Sequence, residues 1–130
     1  MVEPLLLFAR ELSNGLRVEL WDVSRHYFGG YWQVALEARC PVALRPELFD
    51  GPAACDEARH LLGECVMYVQ RLERMAVRQD LLEPVRRELV QRFEHHVVPF
   101  LSHPRFAAGF IAGKSAKCRR KVVRGIPVPA

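Results

Sequence analysis

The stretch AACDEARHLLGECVMYVQRLERMAVR, residues 53–78, decides how the second half of the chain is read. Its apolar residues recur at three- and four-residue intervals: Ala58, Leu61, Leu62, Cys65, Val69, Leu72 and Ala76. Residues so spaced share one face of an α-helix, and Arg59, His60, Gln70, Arg71 and Arg74 fall on the other. The pattern predicts one amphipathic helix over residues 53–78, roughly 39 Å long at 1.5 Å per residue.

On its N-terminal side lies RPELFDGP, residues 45–52, a linker with two prolines and a glycine. Before that the period is two. Trp32, Val34, Leu36, Ala38, Cys40, Val42 and Leu44 share one face, and Tyr31, Gln33, Ala35, Glu37 and Arg39 the other. Such alternation marks a strand with one face on a core and one toward water. Pro41 has no N–H for a ladder bond and predicts an edge, bulge or bend there. Further back, Asn14-Gly15 between residues 5–12 and LRVEL predicts a hairpin, because both turn residues accept positive φ. Val18 and Leu20 alternate with Arg17 and Glu19, but the phase flips at Trp21 and Val23, which predicts a bulge near Leu20-Trp21.

On its C-terminal side, Asp80 and Glu83 have the spacing of a capping box for a second long helix. Leu82, Val85, Leu89, Phe93, Val97 and Phe100 form its stripe, and Pro99 ends or kinks it. Ser102 is placed to cap a short third helix over residues 103–112, closed by Gly113. The expected class is α+β: an N-terminal three-stranded antiparallel meander packed on two long antiparallel helices, then a short third helix and a basic C-terminal tail. Residues 1–113 form a single domain in this reading, and residues 114–130 a tail that is mobile or an edge strand. Val122, Val123, Ile126 and Val128 are the residues placed for such a strand.

The 130 residues carry a net charge of +4. Six basic residues, Lys114, Lys117, Arg119, Arg120, Lys121 and Arg124, fall within eleven positions, and no acid follows Glu94. Without those six the chain has 13 basic and 15 acidic residues, a net −2, so the excess belongs to the tail. A segregated cationic run suits a polyanion: six phosphate contacts imply a salt slope of about −5, at −0.9 per contact. The same run also suits pairing with Glu88 and Glu94, or solubility alone.

No run of ~20 apolar residues is present to cross a bilayer, and no basic n-region opens the chain, so neither a membrane partner nor a signal peptide is expected. Cys40, Cys55, Cys65 and Cys118 lack CxxC spacing and read as free thiols of a cytoplasmic protein, with Cys40 and Cys65 on apolar faces.

Motifs for catalysis are incomplete. GFIAGKS, from Gly109 to Ser115, is one residue short of a phosphate loop and sits at the end of a helix, where carbonyls repel anions. Glu57, His60 and Glu64 share a helical face with metal-compatible spacing, but a single such motif completes no metal site. His95 and His96 diverge by about 100° on a helix. No nucleophile, cofactor site or metal site is therefore assigned.

Trp21, Arg25, His26, Tyr31 and Trp32 gather near the Phe28-Gly29-Gly30 loop and form the candidate ligand or interface surface. The leading expectation is a non-enzymatic protein-interaction domain that pairs with itself as a homodimer. Its alternatives are a nucleic-acid-associated protein using the tail, and an enzyme or ligand-binding protein. The latter needs a pocket between sheet and helices and some of Arg25, His26, His60 and Glu64.

Overall fold

The computed structural model describes residues 3–123, with side chains as far as Arg120. The protein is α+β, with an antiparallel sheet and helices. The strands are β1 (Leu5–Glu11), β2 (Arg17–Asp22), β3 (Arg25–Phe28), β4 (Tyr31–Ala43) and β5 (Cys65–Arg78). The α-helices are α1 (Pro52–Leu62), α2 (Leu82–Arg92), α3 (Val98–Ser102) and α4 (Phe106–Val123), with a π-helical turn over Phe93–Val97 between α2 and α3. The chain divides into two compact units. One comprises Met1–Cys40 and Tyr68–His103, the other Pro41–Met67 and Pro104–Ala130.

The first unit holds most of the sheet. Asn14-Gly15 makes the expected turn: Gly15 has φ +87°, and the Leu12 N–H donates to the Leu16 carbonyl at 2.7 Å. Asn14 also donates to the carbonyls of Leu101 at 2.7 Å and His103 at 3.2 Å, tying the turn to the end of α3. β1 pairs with β2, and β2 with β4. β3 pairs with β4 in the register that β2 set: Glu19 lies opposite Arg39, Asp22 opposite Leu36, and Arg25 opposite Gln33. β2 and β3 are thus one line of chain along one edge of β4, interrupted where Ser24 turns in. There the Ser24 hydroxyl accepts the Ala35 N–H at 3.0 Å, in place of a backbone carbonyl. β5 pairs with β4 and makes the sheet five-stranded.

One face of this sheet is covered. Val18, Leu20, Val34, Leu36, Ala38 and Cys40 are buried there, with Leu89, Phe93, Val97 and Leu101 from the helical segment. Phe8 meets Phe93 edge-on at 5.8 Å. The four helical residues are four apart, which drifts about 40° per step in a regular α-helix at 3.6 residues per turn. The wider π turn takes back part of that drift. Pro99 supplies its cause, since it has no N–H for the His95 carbonyl and its ring crowds that carbonyl.

The phase flip in β2 has a different origin from the one expected. The bulge lies in β1, where Leu7 is the extra residue between the Leu6–Trp21 and Phe8–Leu20 pairs. β2 keeps its alternation: Trp21 takes the open face and Asp22 the covered one, 7% exposed, its carboxylate 2.9 Å from Arg86 Nε. An ion pair, not a slip of register, puts a polar residue in an apolar position.

The larger correction concerns residues 53–78. The helix stops at Leu62, and Gly63 with φ +89° turns the chain out. Cys65–Arg78 is a strand. Val66, Tyr68, Gln70, Leu72 and Arg74 turn inward, while Cys65, Met67, Val69, Arg71, Glu73 and Met75 are exposed. Two polar residues on the inner side and four apolar ones on the outer side erase the contrast that period two needs, and the remainder fits period 3.6 by coincidence. Ala76, at φ +55°, shifts the phase so that Val77 is buried instead. The expected pair of long antiparallel helices therefore reduces to the segment α2 to α3, and Cys65 is exposed rather than on an apolar face.

In the second unit, Cys55 and Ala58 of α1 and Phe106, Ile111 and Ser115 of α4 are buried. The Arg59 guanidinium donates to the Leu44 carbonyl at 3.0 Å, and the Leu44 N–H to the Glu64 carbonyl at 3.0 Å. Gly113 does not end a helix, because α4 runs through it to Val123. Residues 114–123 are therefore helical, not an extended tail. The Lys121 side chain and residues Arg124, Ile126 and Val128 lie outside what is described. The capping box is absent too: Asp80 pairs with Arg78 at 3.0 Å and Glu83 with Arg86. The N-cap of α2 is Leu81, which makes no side-chain cap bond, so Asp80 lies one residue before the capping position.

Candidate interaction surface and ligand site

The open face of the sheet in the first unit carries a network of charged and aromatic side chains. Trp21 sits under the Arg39 guanidinium, 4.7 Å from ring centroid to carbon, and its indole N–H donates to Glu19 at 3.2 Å. Arg39 also reaches Glu37 at 2.7 Å. Glu19 faces Arg39 across the strands, as a cross-strand charge pair should. Beside this group, Arg25 donates to Gln33 at 2.7 Å, Gln33 to Glu73 at 2.8 Å, and Arg71 lies 3.0 Å from the same Glu73 oxygen. Gln33 is 6% exposed, so this chain of contacts covers that part of the face.

β5 ends the sheet on this side. Among the described residues it pairs with β4 alone, which leaves its second edge unpaired. Val69 and Met75 are about half exposed beside Arg71 and Glu73. On the inner side of β5, the Tyr68 hydroxyl donates to Gln70 at 2.7 Å, and burial with the nearby Cys40 thiol raises its pKa. Arg74 grips Glu88 of α2 through two bonds of 2.9 and 3.0 Å. That pairing holds the Glu88 carboxyl below its usual range and raises the guanidinium.

The β3–β4 hairpin brings together four of the five expected surface residues. His26 lies opposite Trp32, with rings 5.4 Å apart and edge-on, and Arg25 lies opposite Gln33. Tyr31 is exposed with Tyr27 and Phe28 at the tip. Trp21 is separate, on the open face with Arg39. Of the second set, His60 and Glu64 belong to the other unit, and the Glu64 carboxylate lies 3.9 Å from Arg59. Among the described residues no group of three His, Cys, Asp or Glu side chains is placed to hold a metal ion.

A cavity of about 250 Å³ lies in the first unit between the sheet and α2. Trp32 and Val34 form one wall and Leu82 another, with Glu3, Asp22, Ser24 and Arg86 as its polar groups. Asp22 and Arg86 had no sequence signal, since an acid in an apolar slot of β2 read as a slip of register. A second cavity, about 280 Å³, lies in the other unit against α4 and includes Ser115 and Arg119. There the serine of GKS is buried inside a helix, and its hydroxyl has no partner among the described residues.

The basic residues of α4 are partly engaged. Lys114 sits 5.7 Å from the Phe110 ring centre, and Arg119 reaches Glu57 at 3.1 Å. Lys117 and Arg120 are exposed. Glu88 and Glu94, the expected partners of the basic run, are held by Arg74 and Arg10. No helix among the described residues is long and apolar enough to cross a membrane. No protein-family model, curated protein or solved structure matches this chain.

Proposed function

We propose that this chain is a non-enzymatic interaction domain that works as a homodimer, joined along the outer edge of β5. The observation that carries this reading is the 14-residue edge strand, whose second edge is unpaired among the described residues, with exposed Val69 and Met75. An unpaired edge presents a row of N–H and C=O groups that template a further strand. Natural sheets protect long edges or use them, and the apolar side chains here favour use. Sedimentation velocity over a concentration series tests it. A species of twice the chain mass at high concentration is the expected result, and a strict monomer at about 100 μM, well above a micromolar Kd, refutes it.

The cavity between sheet and α2 favours a second reading, a binding site for a small ligand. It combines a largely buried carboxylate, Asp22, with an indole wall, Trp32. Titration of small amines and small carboxylates against indole fluorescence tests it, with Trp32→Phe to separate the signal from that of Trp21. No saturable change with either class removes it.

The exposed Lys117 and Arg120 support a third, sequence-blind binding to nucleic acid. Truncation is a poor test, because a cut after Gly113 falls within α4. Lys117→Gln with Arg120→Gln keeps the helix. The pair is expected to flatten the salt slope of DNA binding by about 2. An unchanged slope excludes α4.

A further inference from the structure

We infer that the partner on the β5 edge is a second copy of this chain, in antiparallel register about a two-fold axis at Leu72. This rests on the homodimer reading and specifies its interface. The exposed side of β5 in the first unit reads Val69, Arg71, Glu73, Met75. Two antiparallel strands related by a two-fold axis normal to the sheet place residues of the same face opposite each other. The positions of each opposed pair then add to a constant, and the pairing is decided by that constant alone. With the axis at Leu72, Arg71 faces the partner's Glu73 and Glu73 faces the partner's Arg71. Val69 and Met75 face each other in the same way.

Neighbouring registers fail on charge. An axis at Arg71 sets guanidinium against guanidinium, and one at Glu73 sets carboxylate against carboxylate; like charges directly opposite destabilise a pair. An axis at residue 70 or 74 seats both charges against apolar side chains. Only the Leu72 axis pairs opposite charges together and apolar side chains together.

Two further features agree. Regular alternation along β5 stops at Ala76, with φ +55°, so the segment centred on Leu72 ends at Met75, where the strand loses its phase. The charges at its centre are also held in place beforehand. Arg71 lies 3.0 Å from Glu73, and Gln33 donates to Glu73 at 2.8 Å, while Arg25 donates to Gln33. Side chains already ordered lose less freedom on association.

Charge reversal in the full chain tests this. Arg71→Glu gives a chain with two acids at the edge, and Glu73→Arg one with two bases. Both positions are exposed, and circular dichroism confirms that each variant is folded. Each variant alone is expected to dimerise about tenfold more weakly or worse, because two attractive pairs become two repulsive ones. An equimolar mixture is expected to restore dimers, all of them mixed, since every Glu of one chain then meets an Arg of the other. Arg71→Glu with Glu73→Arg in one chain restores the homodimer. A wild-type monomer overturns both this register and the homodimer reading. A wild-type dimer whose affinity ignores the single reversals, or a mixture that forms no mixed dimer, overturns the register and leaves self-association standing.

Discussion

Asp22 shows how a single residue mislead the phase of a strand. Its carboxylate occupies a position facing the core, accepts the Ser24 N–H at 2.9 Å and pairs with Arg86. Asp22→Ala leaves the Arg86 guanidinium and the Ser24 N–H short of a partner. The expected loss in stability is about 1–3 kcal/mol, read by urea denaturation, and Asp22→Asn should lose less because it still accepts from Ser24. Phe93→Ala, which removes a fully buried ring packed on Phe8, should cost about 3–5 kcal/mol. Tyr68 gives a dependence on pH. Its pKa is raised in the fold, so the folded state keeps its phenol proton after the unfolded chain has lost it. The stability from this group is full below the ordinary tyrosine pKa of about 10 and is lost as pH rises through the higher folded value. Tyr68→Phe should therefore lose less stability between neutral pH and high pH than the wild type does. An identical alkaline profile in the two would remove Tyr68 as the cause.

Elements were legible where local chemistry and burial agree. β4 reads as a strand from its alternation alone, and Asn14-Gly15 gives the first hairpin, because in both a single local rule decides the conformation. β5 was illegible for the opposite reason. Its inner face includes Gln70, bonded to its neighbour Tyr68, and Arg74, whose partner Glu88 on α2 is set by tertiary structure. Gly63 was the overlooked local signal, a residue suited to positive φ in the middle of a supposed helix. The sites divide in the same way. The hairpin residues Arg25, His26, Tyr31 and Trp32 are close in sequence, so their proximity is legible from local pattern, whereas the cavity joins Asp22 and Trp32 to Arg86 across more than fifty positions. The helical segment from Leu82 to Ser102 adds a prediction. Its buried residues Leu89, Phe93, Val97 and Leu101 are spaced four, four and four, one residue more than a regular stripe of four, three and four. The exposed pair His95-His96 holds the surplus. Deleting His96 together with Pro99→Ala should yield a folded protein with a regular helix there. Deleting Arg92 instead displaces Leu89 from its stripe without relieving Pro99, and should cost far more, as thermal melts would show.

At the scale of the molecule, the two units are each assembled from two separate segments. The chain passes from one to the other after Cys40, after Met67 and after His103, twice along the strands β4 and β5 themselves. Neither unit corresponds to a continuous stretch of polypeptide. Residues 1–103 expressed alone would lack α4, and with it Phe106, Ile111 and Ser115 that are buried in the second unit, so Cys55 and Ala58 would lose their cover. Such a fragment should bind a hydrophobic dye where the whole chain does not. A fully native fragment would show that unit to be dispensable. The same interleaving bears on order in time. On a ribosome, the second unit has only residues 41–67 to offer until synthesis reaches α4, so its core must wait until Phe106, Ile111 and Ser115 have been added. The N-terminal hairpin waits only for its own turn. Nascent chains arrested after His103 would therefore carry a formed first hairpin beside an α1 that has nothing yet to rest on.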